Sequence, residues 1–432
     1  MLMKLIARFV AMVGATMIMM RRWNRSELAQ AAGASPDIPQ AVPQRIPTLK
    51  MPTARGWREG EAPVAAPGLK VNLFAGGLKH PRQIYILPNG DVLAAESLSL
   101  AGPVATAFDI AIVATMRRAA ALGDSPNRIT LLRDADGDGV AEKRSDFLTG
   151  LNQPFGMTLI GGTLYVGNVD GIVAFDYRDG DERITQESKR LSEYKSWGHW
   201  TRNLLATPDG RKIFVAVGSL SNIGEGGMAA EEGRACIYEF DVATGKQRIF
   251  ASGLRNPVGL AIEPKTGALW TVVNERDGIG DETPPDYLTS VREGGFYGWP
   301  YSYWGRTVDH RVPQKPELVA KAITPDYALG GHTASLGLCH VPDGTLPGFG
   351  EGMAIGQHGS WNRSTLSGYK LIFVPFAGGK PSGPARDLLT GFLAADEKFS
   401  YGRPVGVAVG PDRKSLLLAD DVGNVIWRVS GA

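Results

Sequence analysis

Apolar residues along this chain fall in short alternating runs, and the runs come in pairs. The stretch from Gly253 to Pro300 shows the unit. Val258–Ile262 alternates as a half-buried strand does, Pro264 to Gly267 reads as a turn, and Ala268–Val273 is a second strand. Together they predict a hairpin. An acidic loop, Asp277–Asp286, follows, and the stretch closes at Tyr297-Gly298-Trp299-Pro300.

The hairpin recurs. From the proline that opens the first strand, a turn lies seven residues on: Pro81 leads to Pro88-Asn89-Gly90, Pro257 to Pro264, and Pro404 to Pro411-Asp412. Pro154 leads to Gly161-Gly162. Thr201 stands in the proline's place before Pro208-Asp209-Gly210, and Ser335 before Pro342-Asp343-Gly344. These six anchors are spaced by about 47 to 78 residues. Repeats of one short-stranded sheet with Gly/Pro turns predict an all-β fold, a six-bladed β-propeller with one blade per repeat. A blade cannot bury both faces alone, so the blades must stack in a ring.

Register then places chemistry. In a propeller the strand nearest the axis lines the central channel, and residues just before it sit at one mouth in every blade. Those positions hold Lys79-His80, Asn152-Gln153, His199-Trp200, Arg255-Asn256, His332-Thr333 and Gly402-Arg403. Three of the six histidines fall there, with two arginines and two asparagines. Loops are polar in general, but a polar cluster repeated in register predicts a funnel.

Composition agrees with a turn-rich β fold: 432 residues, 43% hydrophobic, 55 Gly and 28 Pro. A net charge of +2 with acid and base well mixed argues against nucleic acid and against a polybasic membrane patch. Residues 1–35 differ from the rest. Lys4 and Arg8 precede the apolar run Phe9–Met20, and Ala29-Gln30-Ala31 resembles a cleavage site. An export signal is expected, with an uncleaved anchor over residues 5–20 or a mis-assigned start as alternatives; the run is shorter than the ~20 residues that span a bilayer. The expected location is the periplasm. Residues 36–67 are Pro/Ala-rich without a period and read as a linker, which leaves 68–432 for the ring.

Ile110–Leu122 fits either a short helix inserted in a blade or a loop. The run Asp134-Ala135-Asp136-Gly137-Asp138-Gly139 sets alternate carboxylates to face one point, as Ca2+ requires, although Glu142 comes too early for an EF-hand and a tight Asp/Gly turn is the plainer reading. Cys236 and Cys339 lie in different blades beside apolar residues and read as two buried thiols. There is no His-Glu-x-x-His, no Cys-x-x-Cys, no phosphate loop and no Gly-x-Ser-x-Gly elbow.

At Trp197-Gly198-His199-Trp200, Leu254-Arg255-Asn256-Pro257-Val258-Gly259 and Gly294-Gly295-Phe296-Tyr297-Gly298-Trp299-Pro300, the chain resembles the soluble pyrroloquinoline quinone (PQQ) sugar dehydrogenases. Gln357-His358-Gly359-Ser360-Trp361-Asn362-Arg363, Gly368-Tyr369-Lys370 and Asp420-Asp421 bring it nearest to the L-sorbosone dehydrogenase branch. The resemblance covers roughly Leu69–Val429. It implies a PQQ- and Ca2+-dependent oxidation of an aldose or aldosone at its aldehyde or lactol carbon. His199 matches the general base. Arg255 and Asn256 match cofactor contacts, with Arg255 also stabilising charge during transfer, and Arg403 and Lys370 match cofactor cations. The backbone of Gly298, Trp299 and Pro300 matches the Ca2+ ligands. Gln153, Trp200 and His332 are the expected substrate contacts, and Asp134, Asp136 and Asp138 a structural Ca2+ set. No Cys-x-x-Cys-His haem site is present, so electrons must pass to an external acceptor, a quinone or a cytochrome. Two other functions stay open: a Ca2+-dependent lactonase-type hydrolase, disfavoured because the funnel positions carry no carboxylate, and a non-enzymatic propeller that binds protein or glycan.

Overall fold

The computed structural model describes residues 31–44, 48–102 and 107–432. The export signal or anchor expected in residues 1–35 falls almost wholly outside them. No helix among the described residues is long and apolar enough to cross a membrane.

Six antiparallel sheets form the ring, and their first strands are Pro81–Ile86, Met157–Ile160, Leu204–Ala206, Pro257–Ile262, Ser335–Val341 and Pro404–Val409. Each begins at its anchor or three residues after it. These strands touch one another in a closed cycle, blade 1 to blade 6 and back, so they are the innermost. Blades 1 to 3 each take four strands in sequence, for example Pro81–Ile86, Val92–Glu96, Arg128–Arg133 and Lys143–Leu148 in blade 1. Blade 6 takes its outer strand from Leu69–Ala75, with Val71 opposite Val429, so the two ends of the ring are sewn into one sheet.

The inner strands approach closely because the second residue after four of the six anchors is glycine: Gly156, Gly259, Gly337 and Gly406. A Cβ on Gly337 would lie 1.9 Å from the Val405 carbonyl oxygen, and one on Gly259 would lie 2.5 Å from Leu338 Cβ. Gly337→Ala should therefore cost at least about 1–3 kcal/mol through overpacking. A denaturant midpoint equal to that of the parent would reject this account of blade spacing.

The first residues after four of the anchors meet across the blades. Phe155, Val258, Leu336 and Val405 form a small apolar cluster there, with Trp200 packed against it. The remaining two positions are Arg82 and Arg202, both buried. Apolar blade faces fill the space between sheets, as with Leu93, Ile129, Phe147 and Leu164 at the junction of blades 1 and 2.

The segment 36–67, expected as a linker, makes specific contacts with the ring. Val42 and Gln44 amides donate to Ile279 and Gly278 carbonyls, and Thr53–Ala54 pairs with Phe399–Ser400. Trp57 packs among Phe392, Tyr401 and Trp427, and its indole donates to Asp420 at 2.7 Å. Ile110–Leu122 resolves in favour of the helix, which spans Ala107–Arg118 between the second and third strands of blade 1. Both cysteines are free thiols.

Candidate active site

A cavity of about 440 Å3 opens at the mouth where the chain enters the inner strands. The positions before the anchors supply His80, His199, Arg255, Asn256, His332 and Arg403 to it. His358 joins them, so four of the six histidines line one space.

His199 is held by its backbone and by one ring edge. Its carbonyl accepts from Arg202 Nη1 at 2.8 Å and Arg234 Nη2 at 3.0 Å, and its amide donates to Ser219 O. Nδ1 lies 2.9 Å from the Ser219 carbonyl. A carbonyl only accepts, so Nδ1 carries the hydrogen and Nε2 keeps its lone pair. Burial, then the Arg255 charge, lower its pKa to about 3.

Two carboxylates organise the walls, Asp277 half-buried and Asp421 buried. Asp277 Oδ2 accepts from Arg255 Nη2 at 3.1 Å, while Oδ1 accepts from Asn362 Nδ2 at 2.6 Å and lies 3.5 Å from His332 Nδ1. Burial alone would raise Asp277, but Arg255 and His332 outweigh it and hold it at about 2. Opposite, Asp421 Oδ2 takes the Arg82 guanidinium, His358 Nε2 at 2.8 Å and His80 Nε2 at 3.2 Å. Asp286, which accepts from the Glu275 and Ala334 amides at 2.8 Å each, is pushed up to about 6 by burial.

Burial comes first among the causes that lower His80 to about 4 and His358 to about 3. For His332 burial also lowers, but Asp277 outweighs it and the net shift is upward. In a histidine NMR titration, His80, His199 and His358 should thus stay neutral down to pH 5, and His332 should protonate above the ordinary 6.5. Midpoints near 6.5 for the first three would contradict the buried, cation-faced cavity.

Several expected site residues lie elsewhere. Lys370 opens a strand of blade 5 and pairs with Asp387 at 2.8 Å, outside the cavity lining. Gly298, Trp299 and Pro300 also do not line it. The Gly298 carbonyl accepts from Ser302 N at 2.9 Å and the Pro300 carbonyl from Arg276 Nη1 at 2.8 Å. Gln153 donates to the Leu98 carbonyl at 2.8 Å instead of facing substrate. Trp200 packs edge-on to Phe155 of the small apolar cluster and under the Arg82 guanidinium. Asp134, Asp136 and Asp138 gather with Glu142, each offering an oxygen within 4.8 Å of the others, far from these groups in the turn after the third strand of blade 1.

The mouth is more acidic than the anchor positions suggested: Glu275, Asp277 and Asp286 line it. Asp277 and Asp421 are nevertheless paired with cations, so neither is a bare carboxylate. Many groups beyond the anchor positions follow one rule, since they sit just past the second strand of a blade: Ser99 in blade 1, Glu275 in blade 4, His358 in blade 5 and Asp421 in blade 6. Polar residues at those strand ends were a readable signal. The apolar rim had none, because Leu49 and Met51 come from the segment before the ring and Ile112 and Met116 from the inserted helix.

A family profile described as TrAA12-like matches residues 125–287. The pyrroloquinoline quinone-dependent sugar dehydrogenase of Hypocrea jecorina is 24% identical over 307 residues, 64% of this chain and 64% of that enzyme. The match thus spans slightly less than two thirds of that relative's length. The calcium structure of a Trichoderma reesei carbohydrate-active enzyme of family AA12 superposes with a TM-score of 0.69 at 20% identity, covering 89% of this chain and 99% of that one. The holo form of the pyranose dehydrogenase PQQ domain from Coprinopsis cinerea gives 0.68 at 21% identity, over 88% and 100%. In sequence the chain is similar to PQQ-dependent sugar dehydrogenases, and it shares their six-bladed fold.

Proposed function

We propose that this chain is a PQQ- and Ca2+-dependent dehydrogenase that oxidises an aldose or aldosone, L-sorbosone-like, at its aldehyde or lactol carbon. What carries the proposal is the convergence of His199, Arg255, Asn256 and Arg403 on one cavity. The similarity to sugar dehydrogenases supports the same chemistry.

The residues fit the two groups. PQQ carries three carboxylates, and Arg403 offers a guanidinium with no carboxylate partner among the described residues; Nε and Nη2 donate to the His358 and Gly359 carbonyls. Buried polar atoms without a protein partner surround the same space: Arg82 Nε, Asn256 Oδ1 and Glu275 Oε1. Two of these are hard oxygens of the kind Ca2+ selects. Glu275 and Asn256, in place of Gly298–Pro300, would therefore hold the metal, and Arg403 the cofactor carboxylates, with Arg255 adding its charge from the wall, where its N–H groups are taken by Asn222, Asn274, Glu275 and Asp277.

The quinone, when bound, supplies the two-electron acceptor that no side chain here provides, and Ca2+ a Lewis acid beside it. The chain does the rest. His199 Nε2 takes the proton of the substrate hydroxyl, and the bond from Nδ1 to Ser219 fixes the tautomer that permits it. Arg255, fixed beside His199, stabilises negative charge as that proton leaves. Leu49, Met51, Ile112 and Met116 cover the mouth and limit water. An external quinone or cytochrome completes the cycle, and the pattern of residues 1–35 supports a periplasmic setting.

Reconstitution tests this. Purified protein given PQQ and CaCl2 should reduce a dye with L-sorbosone, glucose or another aldose, and a chelator or omission of PQQ should abolish the signal. Acidification of lactone solutions with no PQQ-dependent dye reduction would instead favour the hydrolase.

A further inference from the structure

We propose that Asn222 is a positioning residue that fixes the Arg255 guanidinium and the Asp277 backbone at the cavity wall. The inference rests on the role proposed above for Arg255. Asn222 does not line the cavity itself; it lies behind, in the loop between the second and third strands of blade 3. Its side-chain Oδ1 accepts from Arg255 Nη2 at 3.0 Å and from the Asp277 amide at 2.8 Å. Nδ2 donates back to the Asp277 carbonyl at 3.1 Å. Its own carbonyl accepts from Arg255 Nε at 3.1 Å and from the Trp299 indole at 2.9 Å.

This one residue thus bridges blade 3 to three points of blade 4. Arginine is a planar fork, and two bonds on one edge fix both its position and its plane. With Nε and Nη2 held by Asn222, Nη1 is directed to the Glu275 carbonyl at 2.7 Å and Nη2 also meets Asp277 Oδ2. The sequence motif around Gly298–Pro300 finds its place here too: Trp299 supports the carbonyl that orients Arg255, one step removed from the cavity.

The loop does not depend on the Asn222 side chain for its shape. Glu231 binds the Leu220 amide at 2.7 Å, the Ser221 amide at 2.9 Å and the Ser221 hydroxyl at 2.6 Å. Asn222→Ala should therefore fold and lose only its three side-chain bonds. Asn222 carries no charge and touches neither His199 nor, on this geometry, any ligand in the cavity. Its effect on rate must pass through Arg255 and Asp277.

Two measurements test the proposal. With PQQ, Ca2+ and sugar, Asn222→Ala should lower kcat by roughly tenfold with little change in KM, because charge stabilisation in the transition state depends on alignment. In an Arg255→Ala background the same change should add less than about twofold, the non-additivity expected of one unit. Independently, in cofactor-free protein, phenylglyoxal labelling of Arg255 read by peptide mass spectrometry should speed up by several-fold in Asn222→Ala, at a thermal midpoint near that of the parent. Equal costs in both backgrounds, or unchanged labelling, would overturn the inference. If the parent protein shows no PQQ-dependent turnover, the redox reading fails, and the labelling rate alone decides whether Asn222 holds Arg255.

Discussion

His199→Ala should lose at least about 10²-fold of PQQ-dependent turnover while PQQ still binds within a few fold of the parent affinity. The expectation follows from how the residue is held. Its carbonyl is gripped by Arg202 and Arg234 and its amide by Ser219, so truncating the side chain leaves the loop in place. What disappears is Nε2, the ring nitrogen with a free lone pair. Arg255 and Arg403, the cations proposed to face the cofactor, do not bond to the imidazole. The low pKa also sets the acid side of the rate profile. Because burial and Arg255 lower His199 to about 3, the base form persists far below 6.5, and its titration should not reduce the rate between pH 7 and pH 5. Dye-reduction kinetics across PQQ concentrations separate the two effects, and near-parent kcat in His199→Ala would remove His199 as the base.

Much of this arrangement was written in local pattern, and the part that was not has identifiable physical reasons. The anchors were legible because a proline or its stand-in and a Gly/Pro turn seven residues on are short-range features, and ring closure follows once six are counted. His199, Arg255 and Arg403 were legible for the same reason, as one offset repeated in every blade. The pairing of Arg82 with Asp421 was not, because it closes the ring between its first and last blades, 339 residues apart. Lys370 misled because the family motif was matched without register. As the first residue of its strand it turns to Asp387 on the neighbouring strand, and the cavity side of the blade is reached by His358. Gly298 and Pro300 misled because they stand outside the cavity lining, with their carbonyls accepting from Ser302 and Arg276, which only the folded loop reveals. At Asp134–Glu142, Glu142 comes too early for an EF-hand, yet it joins the carboxylate cluster. Gly137 and Gly139, at φ +78° and +91°, turn the loop tightly enough to bring it in.

Asp421→Ala should cost about 3–5 kcal/mol, the largest stability loss expected from any change at the cavity. Asp421 is 1% exposed, and its Oδ2 alone receives Arg82, His80 and His358. Removing the carboxylate leaves the Arg82 charge, itself 7% exposed, beside Arg403 with no anion to balance it. An unbalanced buried charge costs far more than a well-made pair contributes, so the loss measures the stranded arginine. The sign with pH follows from the same contacts. Burial alone would raise the Asp421 carboxyl, but His358, His80 and Arg82 outweigh it and hold it well below its ordinary 3.8. The contribution is therefore fully present above about pH 4 and declines only as the pH falls below that value. The companion change decides the cause. Arg82→Met in the Asp421→Ala background removes the stranded charge while keeping an apolar stem over Trp200, and should recover most of the lost stability in guanidinium unfolding. If the double variant stays as unstable as the single, the cost lies with the histidines or the strand end, and Arg82 is not what Asp421 is there to neutralise.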